Sequence, residues 1–198
     1  MSPHPALDLV PDSSTTDTKP ENLRDFLADI AASGFIDAGL RQSSSPIAVS
    51  GQLIHDLATT CLSSSFVTWS HRMTTEYVDR FGSAWLRENR LAQLLSGERI
   101  GSTALATALA DRSGKELLPI TFTKVGEKYV LDGVIPWASN LYSDTLVVFA
   151  AREPETQERK LFATELSFAG VSVKPAEGLL ALNATSSGTV RFEGLELT

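Results

Sequence analysis

The 198-residue sequence predicts an α+β fold, an all-helical first half followed by an antiparallel β-barrel. Three observations carry this. Apolar residues recur every three or four positions from Leu23 to Tyr77. From Ile100 onward short runs rich in Val, Ile, Thr and Phe alternate with Gly-, Pro-, Asp- or Glu-bearing turns. Gly97 stands between the two regimes. The chain therefore divides into a disordered leader over 1–18, a helical domain over 19–97 and a β-barrel domain over 98–198.

The leader is Ser-, Thr-, Pro- and Asp-rich, with no basic start and no apolar middle, so it is not read as a signal peptide. Thr18-Lys19-Pro20-Glu21 has the form of a capping box. Leu23, Phe26, Leu27, Ile30 and Ala31 then form a helical stripe that Gly34 stops. A second helix is expected from about Pro46 to Leu62, with Ile54, Leu57, Ala58 and Cys61 inward. A third covers roughly Ser64 to Arg80, with Phe66, Ser70, Met73 and Tyr77 as its stripe. A fourth runs from Trp85 to Leu95. Strands are expected over Ile100 to Ala106, Ile120 to Val125, Lys128 to Val134, Thr145 to Ala151, Lys160 to Glu165, Val171 to Pro175 and Gly188 to Leu197. Arg152 to Lys160 reads as a charged hairpin loop.

Composition excludes several functions. A net charge of −7 with no basic run gives nucleic-acid binding no electrostatic support. No apolar run approaches the roughly 20 residues that span a bilayer. Cys61 is the sole cysteine, so no internal disulfide forms and a reducing cytoplasm is the expected compartment. His4, His55 and His71 lack metal-ligand spacing, and no metal site is expected. There is neither a dinucleotide glycine fingerprint nor a phosphate loop, and no nucleophile–base pair stands out. His71 reads as a surface or capping histidine and Cys61 as inert core.

The distinctive stretch runs from Lys128 to Asn140. It reads as a strand, a bend at Asp132-Gly133, then Trp137 and Ser139. Two residues apart on an extended segment share a face. An indole beside a hydroxyl can hold a flat heteroaromatic ring, the first by packing and the second by bonding its edge. An ordinary hairpin with Trp137 in its core is the competing reading.

Three blocks, in order and spacing, resemble the acyl-CoA dehydrogenase superfamily over residues 20–198. The first, Gly97 through Thr107 to Ser113, is similar to the family stretch holding Thr-Glu-Pro and then Gly-Ser-Asp, with Thr107 on the Thr and Ser113 on the Ser. The second, Tyr129 to Asn140, resembles Tyr-x-Leu-Asn-Gly-x-Lys-x-Trp-Ile-Thr-Asn. The third, Leu180 to Ser187 followed by Val190-Arg191-Phe192, resembles Leu-Gly-Met-Arg-Ala-Ser-x-Thr before a closing strand. The resemblance implies FAD on the β domain. It implies that Thr107 bonds the pyrimidine side of the ring, Trp137 packs beside it, and Ser139 replaces the Thr near the reactive nitrogen. Ser113 is implied near the pyrophosphate or the thioester substrate. Departures are Ala108 and Leu109 for Glu-Pro, Arg112 and Gly114 flanking Ser113, Ile135 for the Lys and Asn183 for the Arg.

The family continues into a helical bundle that supplies the catalytic Glu, and no catalytic residue is assigned in this chain. The end after Val190 to Leu197 is expected to be a cut through a longer flavoenzyme. The alternative is a short homologue working with a partner subunit that supplies the bundle, or a non-catalytic subunit. The implied reaction is α,β-dehydrogenation of an acyl-CoA thioester by a homo-oligomer. A flavin-dependent monooxygenase of the same fold is the alternative that Pro136-Trp137-Ala138-Ser139 suggests.

Overall fold

The computed structural model describes residues 5–16 and 21–198. Helices occupy the chain up to Ser96 and strands dominate from Ile100. Thr18 and Pro20 of the expected capping box, and His4, lie outside the described residues. The part of the leader that is described is folded. Pro5–Leu9 is a 3₁₀ turn whose Ala6 is fully buried, and α1 is the single turn Ser13–Thr16. Asp12 organises α1 by accepting the Ser14 amide at 3.0 Å.

Helix α2, Glu21–Ala32, buries the stripe its spacing predicts, Leu23, Phe26, Leu27, Ile30 and Ala31. Helix α3, Ile47–Thr60, is turned by one position from expectation. It buries Ser50, Leu53 and Leu57, while Ile54 is half-buried and Ala58 exposed. Cys61 is buried as read, and its sulfur accepts the Ser64 amide at 3.5 Å to cap α4.

Helix α4, Leu62–Phe81, corrects the sequence reading most. Of its expected inward stripe only Ser70 is buried: Phe66, Met73 and Tyr77 are half-exposed, and of its other aromatics Trp69 is 40% and Phe81 67% exposed. The buried side carries Ser64, Thr68, Ser70, His71, Arg72, Thr74 and Thr75. The reason is the neighbour. Helix α4 lies on strand β1, Ile100–Ala104, through polar contacts that small side chains permit at close range. The Gly101 amide donates to His71 Nδ1 at 2.8 Å, and the Thr103 amide donates to Ser70 Oγ at 3.3 Å. The buried threonines satisfy themselves by donating to carbonyls four residues back. His71, read as a surface histidine, is 0% exposed, and its Nε2–H donates to the Leu94 carbonyl at 3.1 Å. Helix α5 (Ala84–Leu86), a π turn (Arg87–Leu91) and α6 (Ala92–Ser96) follow.

The expected antiparallel barrel is instead a mixed, open sheet. After β1 come β2 Ile120–Val125, β3 Lys128–Ala138, β4 Thr145–Arg152, β5 Arg159–Glu165, β6 Val171–Pro175 and β7 Gly188–Leu197. The order is β1-β4-β2-β3-β7-β6, with β5 on the other side of β4. β1 runs parallel to β4 because the chain returns through α7, Ala106–Arg112, a helix the sequence reading did not include. The remaining long ladders, β2–β3, β3–β7, β4–β5 and β6–β7, are antiparallel. The hairpin before β3 turns at Gly126-Glu127, not at Asp132-Gly133. β3 passes straight through Asp132-Gly133 and the pair becomes a bulge against β7. Gly133 has φ 135°, and a Cβ there would meet the Pro119 carbonyl oxygen at 2.4 Å, so glycine is required. Phe122, Leu131, Phe149, Val190 and Phe192 fill the β core, with the Phe149 and Phe192 rings 4.6 Å apart.

Burial holds the His71 pKa down, from 6.5 to about 4. Its folded value lies below its unfolded one, so this stability is complete above pH 6.5 and lost as pH falls toward 4. The difference amounts to about 3 kcal/mol. The carboxylates held down by partners, Glu76 beside Arg80 and Arg72 and Asp111 beside Arg159, lose their share only below their own ordinary values near 4. Urea midpoints of wild type should therefore drop between pH 6.5 and 4.5, and those of His71→Gln should stay nearly flat. NMR of the wild-type ring should show no titration above pH 5, and equal slopes for the two proteins would refute the assignment.

Candidate functional site

The site named by the sequence centres on the end of β3, where a second irregularity in the β3–β7 ladder falls between Ile135 and Ala138. The extra residue breaks the two-residue alternation. Trp137 faces outward at 49% exposure, while Ala138, Ser139 and Asn140 are all buried. The expectation that Trp137 and Ser139 share a face is overturned for this reason.

Ser139 is 4% exposed and its hydroxyl is committed inward. Its Oγ lies 2.6 Å from Ser187 Oγ, which lies 2.6 Å from Thr185 Oγ1. The Ser139 carbonyl accepts the Ser102 hydroxyl at 2.6 Å, joining β3 to β1. Asn140 extends the seam. It sits in the left-handed region at φ 61°, and its amide donates to the Val67 carbonyl at 2.9 Å and the Gly101 carbonyl at 3.0 Å. Its Oδ1 is buried without a partner among the described residues. Among the described residues Leu182 and Ser186, at φ 64° and 45°, share this junction, so three strained non-glycine backbones meet at one place.

Thr107 is half-buried in the first turn of α7, and its hydroxyl makes no hydrogen bond among the described residues. It follows Ser102 by five residues, so the Ser102–Ser139 bond ties its strand to the end of β3. Ser113 is exposed at the other end of α7, where its hydroxyl donates to the Ala110 carbonyl at 2.9 Å. The structure thus links Ser139 and the strand leading to Thr107, turns Trp137 the other way, and leaves Ser113 at the surface.

Trp137 borders an open groove of about 480 Å³ that β6 and β7 complete with Lys174, Pro175, Gly188 and Thr189. Sequence reasoning missed Lys174 and Thr189, which lie on neighbouring strands, and Ser102, Thr185 and Ser187, which partner Ser139. Ser102 stood in the first recognised block and Thr185 and Ser187 in the third, with no signal that they would bond to Ser139 or to each other. A larger groove of about 760 Å³ lies between the end of α4 and β5, lined by Phe81, Trp85, Leu161 and Phe168 among others. None of the four sequence-named residues borders it, so its size does not make it the site.

No family profile matches the chain. A probable acyl-CoA dehydrogenase of Bacillus subtilis is 31% identical over 122 residues, covering 59% of this chain and 20% of that protein. The mitochondrial very long-chain specific acyl-CoA dehydrogenase of Bos taurus is 28% identical over 129 residues, covering 59% of this chain and 19% of that protein. The crystal structure of an acyl-CoA dehydrogenase complexed with FAD from Bacillus anthracis superposes with a TM-score of 0.83 at 18% identity, over 96% of this chain and 34% of that one. The chain is similar in sequence to acyl-CoA dehydrogenases over 59% of its length and has the fold of that superfamily. It spans about a fifth of the length of the curated relatives it matches.

Within this superfamily fold the three sequence blocks become β1 with α7, β3, and the loop into β7. The departures have structural reasons. Ile135, where the family pattern has Lys, is 2% exposed in the β core. Asn183, where it has Arg, closes its own loop by accepting the Leu179 amide and donating to the Leu179 carbonyl, each at 3.0 Å.

Ser187→Ala should strand the buried Ser139 hydroxyl, while Thr185 keeps its bond to the Leu182 carbonyl at 2.8 Å, and cost about 1–3 kcal/mol in urea unfolding. Ser113→Ala, at an exposed hydroxyl, should stay within about 0.5 kcal/mol of wild type. Equal effects of the two would show that the hydroxyl chain carries no stability.

Proposed function

We propose that this chain forms the flavin-facing and substrate-facing part of an acyl-CoA dehydrogenase-like oxidoreductase. Residues 98–198 act as the FAD- and substrate-binding domain and 19–97 as the helical domain beside it. The observation that carries this is Trp137, an indole half exposed at the wall of a groove. Exposing so much aromatic surface at a fixed strand end costs hydration free energy unless a ligand covers it.

The residues fit the cofactor in part. Trp137 offers a ring-packing surface and Thr107 an unengaged hydroxyl. Ser139 does not offer a free hydroxyl, so its role in this reading is positioning: the Ser139–Ser187–Thr185 chain fixes the backbone from which Trp137 projects. Ser113 retains acceptor lone pairs at the surface and is the candidate for the thioester or pyrophosphate side. When bound, the flavin supplies a hydride acceptor for the substrate β-carbon. The chain's own residues hold and orient the ring. The α-proton requires a base that this reading assigns to a helical domain or subunit beyond these residues. Among the described residues no helix is long and apolar enough to cross a membrane. The buried free thiol of Cys61 suits the cytoplasm.

Titrating the purified chain with FAD should quench tryptophan fluorescence and produce a structured visible band. Trp137→Ala should weaken the affinity about tenfold, the loss of one good stacking contact. Absence of binding at high micromolar FAD would sink the proposal.

A further inference from the structure

The groove beside Trp137 holds a feature that the family blocks do not include. β6 pairs with β7 so that Lys174 lies opposite Thr189 and Pro175 opposite Gly188. β7 pairs with β3 so that Gly188 lies opposite Ala138, and the Thr189 hydroxyl donates to the Pro136 carbonyl at 3.2 Å. Crossing the three strands therefore leads from an indole to a hydroxyl to an ammonium. At about 4.8 Å per strand the Lys174 backbone lies roughly 10 Å from that of Trp137. Beside Thr189, Gly188 leaves part of the floor between them without a side chain. A Cβ on Gly188 would sit 2.4 Å from the Lys174 carbonyl oxygen, so only glycine lets β6 and β7 approach there.

Lys174, like Lys115 and Lys124 among the described lysines, has no ion-pair partner. Lys128 pairs with Glu196 and Lys160 with Glu158, each at 2.6 Å. The exposed Lys174 side chain makes no hydrogen bond or ion pair among the described residues, although the chain carries a net charge of −7. Glu177 also lines the groove and forms no ion pair with Lys174.

We infer that this groove binds a planar heteroaromatic carrying a phosphate, with the ring against Trp137 and the anion on Lys174. This rests on the flavin reading above and adds to it the residue that recognises the charged end. Indole and ammonium at the two sides of one groove match such a ligand's two chemistries, aromatic packing and a charge-assisted hydrogen bond. Glu177 acts against the anion, and removing its charge strengthens binding.

The test compares FMN with riboflavin, which has the same ring and no phosphate, on the purified chain by tryptophan quenching. FMN should bind about tenfold tighter, the worth of one charge-assisted hydrogen bond. Lys174→Gln should bring FMN down to the riboflavin level and leave riboflavin unchanged. Glu177→Gln should tighten FMN alone, and added salt should weaken FMN alone. Circular dichroism of each variant establishes that it is folded. Equal binding of FMN and riboflavin by wild type, or an unchanged FMN affinity in Lys174→Gln, overturns the role of Lys174 and leaves the flavin proposal standing. Binding of AMP with no binding of either flavin overturns both.

Discussion

Everything in this fold depends on a buried polar seam between α4 and the strand ends beside it. The Gly101 and Thr103 amides donate to His71 and Ser70, and the Asn140 amide reaches the carbonyls of Val67 and Gly101. A helix resting on a sheet ordinarily does so through branched apolar side chains. Here the contact is made by Ser, Thr and His, and the gain is directional: a hydrogen bond specifies one register where an apolar contact tolerates several. The same bonds are costly to leave unmade, so the helix, β1 and the end of β3 stand or fall together.

That seam explains the two features that look anomalous in isolation. Helix α4 sends Phe66, Trp69 and Phe81 toward water because its other side is occupied by the polar contact. Ser139 turns inward because Ser187 and Thr185 continue the same hydrogen-bonded layer toward β7. Trp137, one bulge away, is left outside it. The strained backbones of Asn140, Leu182 and Ser186 are the local cost of closing the layer, and they persist because so many bonds fix them.

Elements with a strong period were legible in the sequence. Helix α2 buries the five residues its spacing names, and β2 and β6 begin and end where the pattern puts them. Helix α4 was misread because hydropathy assigns Phe66, Met73 and Tyr77 to the core, and periodicity carries no information about polar burial. The parallel β1–β4 pair was missed because strands separated by no evident helix suggest hairpins, and the seven residues of α7 are too short to show a stripe. At the site, Trp137 and Ser139 were expected on one face and the structure separates them, since a bulge is invisible to a rule of alternation. Lys174 could not be found at all: it meets Trp137 only through two strand pairings.

The similarity at the level of structure is far stronger than the similarity of the residues that would touch a ligand. An 18% identical chain superposes at a TM-score of 0.83, yet Ile135 and Asn183 stand where the family pattern has charged side chains. Both replacements are absorbed into the protein's own packing, one in the β core and one in a loop closure. Positive charge has therefore left those two positions, while an ammonium at Lys174 stands across β7 from the indole. An anion recognised on this platform meets its cation from β6 instead, which makes the side of the groove, not its end, the place where ligand charge is read.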